Sequence, residues 1–288
     1  MKQSNGDTLL LGAVAYDPKV VTIWEGFRDY FEQHGLPFDF VLYSNYERQV
    51  ESHFLGHIHV AWNSPLAWLQ SQRFAQKASR RVEAICMRDS DRDLTSLVVV
   101  REESSIRSIE DLRGKRIGVG ATDSPQATLI PLLHIERHGL ERGRDFEVVA
   151  FDVLVGKHGD HVGGERDAAQ ALVRKEVDAA CMIDGNHLAF TREGTLLPGA
   201  TRILAQTPEY DHCNFTVLDG APRHRVEKFR ELLLGMSYED PRVRPLLDLE
   251  GLRQWQPGRT EKYAQLEEAI ERSGFLGGFL ERLGSRCL

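Results

Sequence analysis

The sequence predicts a two-lobed α/β protein with a hinge between the lobes. Three observations predict it. Apolar runs of strand length alternate with stretches of helical periodicity through most of the chain. Two polar segments, 91–95 and 207–211, bracket the middle of that alternation and read as crossings between lobes. The 288 residues suffice for two cores. Residues 1–95 with 208–288 are assigned to lobe I and residues 96–207 to an inserted lobe II. Hinge closure on a ligand is the expected motion.

The elements follow in order. Residues 9–15 form an apolar run, and Asp17-Pro18 marks a turn after it. Val20, Val21, Trp24, Phe27, Tyr30 and Phe31 recur at helical spacing up to residue 33, and His34-Gly35 closes that helix. A strand at 38–43, a short helix at 46–54 and a strand at 57–62 come next. Asn63-Ser64-Pro65 then opens a helix with proline near its start. Residues 81–87 read as a strand, and LVVVR at 97–101 is an unbroken apolar strand of the buried type. A capped turn at 108–112 and a strand at 116–119 follow. A helix is expected at 124–138, closed by Gly139, and then a strand at 146–151, a helix at 166–174 and strands at 177–183 and 201–205. This alternation implies βαβ units and a mainly parallel sheet. Beyond Asp219 the chain turns mostly helical, at 225–236, 241–247 and 262–273.

Composition narrows the function. Apolar residues make up 41% and charged residues 27%, as in ordinary globular proteins. The net charge of −7 and isoelectric point near 5.9 argue against a nucleic-acid surface, which is usually basic. No apolar stretch reaches bilayer length, so no membrane insertion is expected. Cys86, Cys181, Cys213 and Cys287 form no C-x-x-C pair, which leaves no zinc-knuckle or dithiol signature and reads as mostly buried thiols. The start is polar, with Asp7 just before the first strand, and shows no basic leader. A cytoplasmic location is expected, or a periplasmic one if a leader was removed.

Four stretches carry a family likeness, in the right order. They are LGAVAYDP, HIHVAWNSPLAWLQ, SIEDLRGKRIGVGATDSPQATLIP and GGERDAAQALVRKEVDAACMID. With these the sequence resembles the phosphonate-binding branch of the type II periplasmic binding proteins over most of residues 9–220. The resemblance implies two Rossmann-like lobes, the first built from both chain ends, with polar loops of both meeting in a cleft. Ligands of α/β sheets sit outside the carboxyl ends of the strands, which selects the same loops independently.

Each of those loops has a structural reading beside the functional one. Tyr16 and Asp17 end the first strand and either wall the ligand or simply make the turn. Trp62, Asn63 and Ser64 follow the third strand, where Asn63 or Ser64 caps the next helix while its N–H groups face a ligand. Asp123, Ser124, Gln126 and Thr128 surround a helix start suited to an anion. Relatives carry small hydroxyl residues and a glycine there. This chain keeps Ser124 but has Pro125, Gln126 and Ala127, so a simple phosphonate loses donors and is not the expected ligand. The loop 156–165 holds four glycines, with His158 and His161 three apart and Asp160 between them. With Glu165 as its second acid, it either ligates a metal or shuttles protons through the histidines, or only hydrogen-bonds the ligand; the last is the favoured reading, and no metal is expected. Asp184 closes the strand at 177–183 as an acceptor, a base or a helix cap. Asp211, His212, Cys213 and Asn214 lie at the return crossing. His57 and His59 share one face of a strand, and one of them reads as a core histidine.

Two functions fit. The first is a solute-binding protein holding a small polar or anionic ligand between its lobes, with an ABC permease as partner only if exported. The second is a cytoplasmic enzyme on the same scaffold, a lyase, decarboxylase or hydrolase of a small carboxylate or heterocycle. Its candidate catalytic residues are His158, His161, Asp184 and Cys213. Neither reading calls for a cofactor.

Overall fold

The computed structural model describes residues 8–159 and 164–287. In chain order come β1 (Leu9–Val14), α1 (Lys19–Gln33), β2 (Phe38–Tyr43), α2 (Tyr46–Phe54), β3 (Val60–Asn63), α3 (Pro65–Lys77) and β4 (Val82–Arg88). There follow β5 (Ser96–Arg101), β6 (Arg116–Val119), α4 (Ile130–Arg137), β7 (Glu147–Ala150), α5 (Glu165–Val173), β8 (Ala179–Ile183), α6 (Asp184–Glu193) and β9 (Thr201–Gln206). The chain ends with β10 (Asn214–Leu218), α7 (Arg223–Leu234), α8 (Arg244–Glu250), β11 (Trp255–Pro257), α9 (Ala264–Ser273) and α10 (Gly277–Cys287). Among the described residues no helix is long and apolar enough to cross a membrane.

The fold is α/β, and the chain divides into two compact units. The described residues of 1–92, 211–261 and 275–288 form the first, and those of 93–210 and 262–274 the second. Helix α9 belongs to the second unit, although the sequence placed all of 208–288 in lobe I. Its buried stripe of Leu266, Ala269 and Ile270 packs on α4, and Gln265 Nε2 donates to the carbonyls of Pro208 and Glu209 at 2.8 and 3.0 Å.

The first unit's sheet runs β11-β4-β10-β3-β1-β2, and the second unit's runs β7-β6-β8-β5-β9. Both are mixed, which corrects the expectation of a mainly parallel sheet. β1 pairs in parallel with β2 and β3, and β6 with β7 and β8. β10 runs antiparallel to β3 and β4, and β5 antiparallel to β8 and β9. The reason lies in the connectivity. β5 and β10 each begin just after the chain has passed from one unit to the other. They enter the sheet at the end where neighbouring strands finish, so Ser96 lies opposite Ile183 and Asn214 opposite Asn63.

In the first unit the helical stripe of α1 (Val20, Ile23, Trp24, Phe27, Phe31) meets the apolar side of β1 and β2. Aromatic rings dominate this core. Phe215 stands 4.6 Å from Trp62, 5.0 Å from Phe229 and 5.2 Å from Trp255, centroid to centroid, within the range of favourable ring pairs. In the second unit β5 is covered on both faces. Val98 and Val100 pack with Leu132 and Ile135, and Leu97 and Val99 with Leu172 and Phe190.

Other departures from the sequence expectation are local. β3 starts at Val60, and His59 before it accepts a hydrogen bond from Leu10 N at Nδ1, 2.9 Å, while His57 is exposed. The helix expected at 124–138 begins as a wide turn, Pro125–Leu129, and becomes α-helical only at Ile130.

Candidate functional site

In the second unit, sheet order brings the end of β8, the end of β9 and the start of β5 side by side, and polar residues gather there. Ser124 opens the wide turn: its Oγ accepts from Ala127 N at 3.2 Å and its carbonyl accepts from Leu129 N at 2.9 Å. Thr128 Oγ1 donates to the Ala121 carbonyl at 2.8 Å. Asp123 and Gln126 tether the glycine loop. Asp123 Oδ2 accepts from Gly156 N at 2.5 Å, and Gln126 Nε2 donates to the Gly159 carbonyl at 2.7 Å. The loop needs its glycines here. Gly159 has φ +64°, and a Cβ on it would overlap Ser124 Oγ, while a Cβ on Gly164 (φ +79°) would overlap the Phe151 carbonyl. His158 is buried in the same loop at φ +53°. His161 and Asp160 lie outside the described residues.

Glu165, the acid that ends the glycine loop, is enclosed in a way that local sequence does not signal. It is fully buried at the start of α5. Its Oε2 accepts from Asn186 Nδ2 at 2.9 Å and Ile183 N at 3.0 Å, and its Oε1 accepts from Gln126 Nε2 at 3.4 Å. Burial pushes its carboxyl up to about 7, against the opposing effect of these hydrogen bonds. An acid after Gly163-Gly164 looks like an ordinary first-turn residue in sequence. Only the position of its helix across β8 reveals that it is enclosed. Next to it, Asp184 is the first residue of α6 and no side-chain cap. Its Oδ1 accepts from Gly185 N at 2.7 Å and its Oδ2 from Thr95 Oγ1 at 3.1 Å. Ser96 Oγ lies 2.5 Å from the Gln126 carbonyl and 2.7 Å from Tyr210 Oη. The unit thus holds a polar cluster at a helix start, buried at Glu165 and Gln126 and half-buried at Asp184 and Asn186.

In the first unit, Asp17 Oδ1 accepts from Lys19 N at 2.8 Å and Tyr16 lies 5.9 Å beneath the Lys19 ammonium. Asp17 therefore makes the turn into α1. Ser64, not Asn63, caps α3, accepting from Ala67 N at 3.1 Å. Asn63 ends β3 inside a buried network. It accepts from Gln49 Nε2 at 2.8 Å and donates to Thr216 Oγ1 at 2.9 Å. Trp62 belongs to the aromatic core, with the Arg88 guanidinium 5.2 Å over its ring.

Beside Trp62 lies a buried charge cluster that the sequence did not foresee as a whole. Arg88 holds Asp91 with two hydrogen bonds of 2.6 and 2.9 Å and reaches Glu250 Oε1 at 3.3 Å. Burial works to raise the Asp91 carboxyl, but the Arg88 charge and hydrogen bonds outweigh it and hold it well below the usual carboxylate range. His212 and Cys213, adjacent in sequence, also touch: Nδ1 lies 3.1 Å from Sγ. Asp211 is clamped by Arg259 at 2.7 and 2.6 Å. Of the catalytic candidates, His158 and Asp184 fall in the second unit and Cys213 in the first.

Comparison with known proteins identifies the family. The family model described as ABC transporter, phosphonate, periplasmic substrate-binding protein matches residues 13–263. PhnD1 from Prochlorococcus marinus, solved in complex with methylphosphonate, superposes with a TM-score of 0.68 at 16% identity, covering 94% of this chain and 99% of its own. A binding protein component of an ABC phosphonate transporter from Pseudomonas aeruginosa gives 0.64 at 14% identity, covering 98% and 97%. The periplasmic aliphatic sulphonate binding protein SsuA from Escherichia coli gives 0.58 at 18% identity, covering 94% of each. These likenesses show the type II periplasmic binding protein fold. The family match favours solute binding over the enzyme reading. It also overturns the expected cytoplasmic location, because the family is periplasmic. An apolar first strand after a polar start is a feature of the fold and carries no information about export. The chain belongs to the family of periplasmic substrate-binding proteins of phosphonate ABC transporters.

Proposed function

We propose that this chain is the solute receptor of an ABC importer, binding a small phosphonate- or sulfonate-type oxyanion and delivering it to a permease. The family match over residues 13–263 carries this reading. The relatives solved with methylphosphonate, or named for aliphatic sulphonate, support the ligand class. The anionic head group is assigned to the turn opened by Ser124, with Thr128 beside it, because a helix start offers converging N–H groups and a favourable dipole. Glu165 and Asp184 sit in the polar cluster of the same unit as acceptors. They favour a solute that also carries an amino or hydroxyl group over a bare inorganic anion. Tyr16, Asp17, Trp62, Asn63, Ser64 and His212 are the proposed contributions of lobe I, with His158 and His161 supplied by the glycine loop.

Titration calorimetry with methylphosphonate, 2-aminoethylphosphonate, methanesulfonate and phosphate tests this. The reading expects one solute per chain, with 2-aminoethylphosphonate bound more tightly than inorganic phosphate. It expects the solute to be recovered chemically unchanged. No binding by any of the four, or conversion of the bound compound, refutes it.

A further inference from the structure

Of the charge cluster of the first unit only His212 enters the reading above, and the geometry of the cluster suggests a second site. Asp91, His212 and Cys213 each present one ligand atom, and the three atoms lie within 4.8 Å of one another. His212 Nδ1 is 3.1 Å from Cys213 Sγ and 3.5 Å from Asp91 Oδ1. Zinc takes sulfur at about 2.3 Å and nitrogen or oxygen at about 2.0–2.2 Å in a tetrahedron, which places neighbouring ligand atoms about 3.3–3.6 Å apart. The observed spacings need only small side-chain adjustments to meet that pattern.

The charged surroundings agree with this. The buried Arg88 cation faces two buried carboxylates, Asp91 and Glu250, so the groups around Asp91 are rich in anionic oxygen. A divalent cation bound with Cys213 as thiolate is compatible with these surroundings. Arg88 does not block the position, since each carboxylate oxygen of Asp91 has a second lone pair, and Oδ1 is the atom nearest His212. The His212 side chain keeps 10% of its surface exposed and offers a way in.

We propose that Asp91, His212 and Cys213 form a site for a single zinc-class divalent cation, with a fourth position for water. The mixed S, N and O donor set suits a borderline-soft metal and discriminates against magnesium and calcium. On binding, His212 coordinates through Nδ1 with its proton on Nε2, and the Cys213 thiol proton leaves to solvent. Asp91 lies one residue before the end of the first chain segment of this unit, and His212 is the second residue of the next. Their backbones are already joined by the His212 N to Asp91 carbonyl bond of 2.8 Å. The cation therefore links the chain segment leaving the unit to the segment re-entering it, at the base of both crossings.

The test uses tag-free full-length protein, stripped with chelator, then loaded with zinc or cobalt(II) and desalted. The site predicts one zinc per chain by elemental analysis, at least a tenfold loss in Cys213→Ala, and full retention in Cys181→Ala. Cobalt(II) bound to the unmutated chain should show a near-ultraviolet thiolate charge-transfer band that is absent from Cys213→Ala. The cobalt spectrum of the unmutated protein reads the thiolate directly, so the test survives poor folding of the variant. Failure to retain zinc, equal zinc in wild type and Cys213→Ala, or a cobalt complex without a thiolate band overturns the proposal. These readouts are independent of solute binding.

Discussion

Glu165→Gln isolates the energetic consequence of enclosing a carboxyl group in the second unit. The side chain is fully buried, and burial raises its pKa from 4.5 to about 7. A raised folded-state pKa means that the folded protein holds the proton more tightly than the unfolded chain. The associated stability is therefore fully present below pH 4.5 and is lost as the pH rises towards and through 7. A shift of that size corresponds to about 3 kcal/mol at 1.36 kcal/mol per unit. Glutamine fits the same place. Its carbonyl can keep the bonds from Asn186 Nδ2 and Ile183 N, and its NH2 replaces only the oxygen that faces Gln126 at 3.4 Å. Urea denaturation of wild type and variant from pH 4.5 to 8 gives the difference between them, which cancels every other titrating group. The difference should swing by about 2–3 kcal/mol in favour of the variant as the pH rises to 7.5. A difference that stays flat across this range means that Glu165 is ionised and solvated in the folded protein, and the enclosed cluster is wrong.

Three further outcomes follow from the same geometry. Gly159→Ala places a methyl group against Ser124 Oγ at a residue with φ +64°, and should cost about 1–2 kcal/mol or more in chemical denaturation; an unchanged midpoint contradicts the placement of the loop on the turn. Asp91→Asn leaves the buried Arg88 with Glu250 alone and should destabilise by about 3 kcal/mol, whereas a loss below about 1 kcal/mol, the range of surface pairs, refutes the buried pair. Ser124→Ala removes the cap of the turn and a donor to the proposed head group, so solute affinity should fall roughly tenfold or more in calorimetry; unchanged affinity removes Ser124 from the site.

Much of the fold was legible because periodicity and punctuation coincide. Phe38–Tyr43, Tyr46–Phe54 and Arg116–Val119 fall where alternation or helical spacing puts them, with Asn45 accepting from Arg48 N at 2.9 Å to start α2. What escaped was set by tertiary partners. β10 (NFTVL) sits in a polar context beyond the second crossing, and its strand character comes from pairing with β3 and β4. β11 spans three residues and exists because it adds to β4. Strand direction was missed because apolar runs carry no sign, and only the point of entry into each unit fixes it. At the site, strand ends drew attention to Ser124, Gln126 and Asp184, which the sheet order does gather in the second unit. Asn63 was chosen for its place after β3, yet Gln49 and Thr216 hold its side chain from elements remote in sequence. The burial of Glu165 and the Arg88–Asp91–Glu250 cluster went unseen because enclosure of a charge leaves no trace in local pattern.

The most direct measurement is native mass spectrometry of the protein as purified, and again after long incubation with the phosphonates and sulfonates above. The receptor account predicts one retained compound per chain, with a mass matching a phosphonate or sulfonate supplied or carried along, and no change in that mass over time. A new mass appearing at the expense of the bound compound, or a protein that retains none of these oxyanions at saturating concentration, contradicts it.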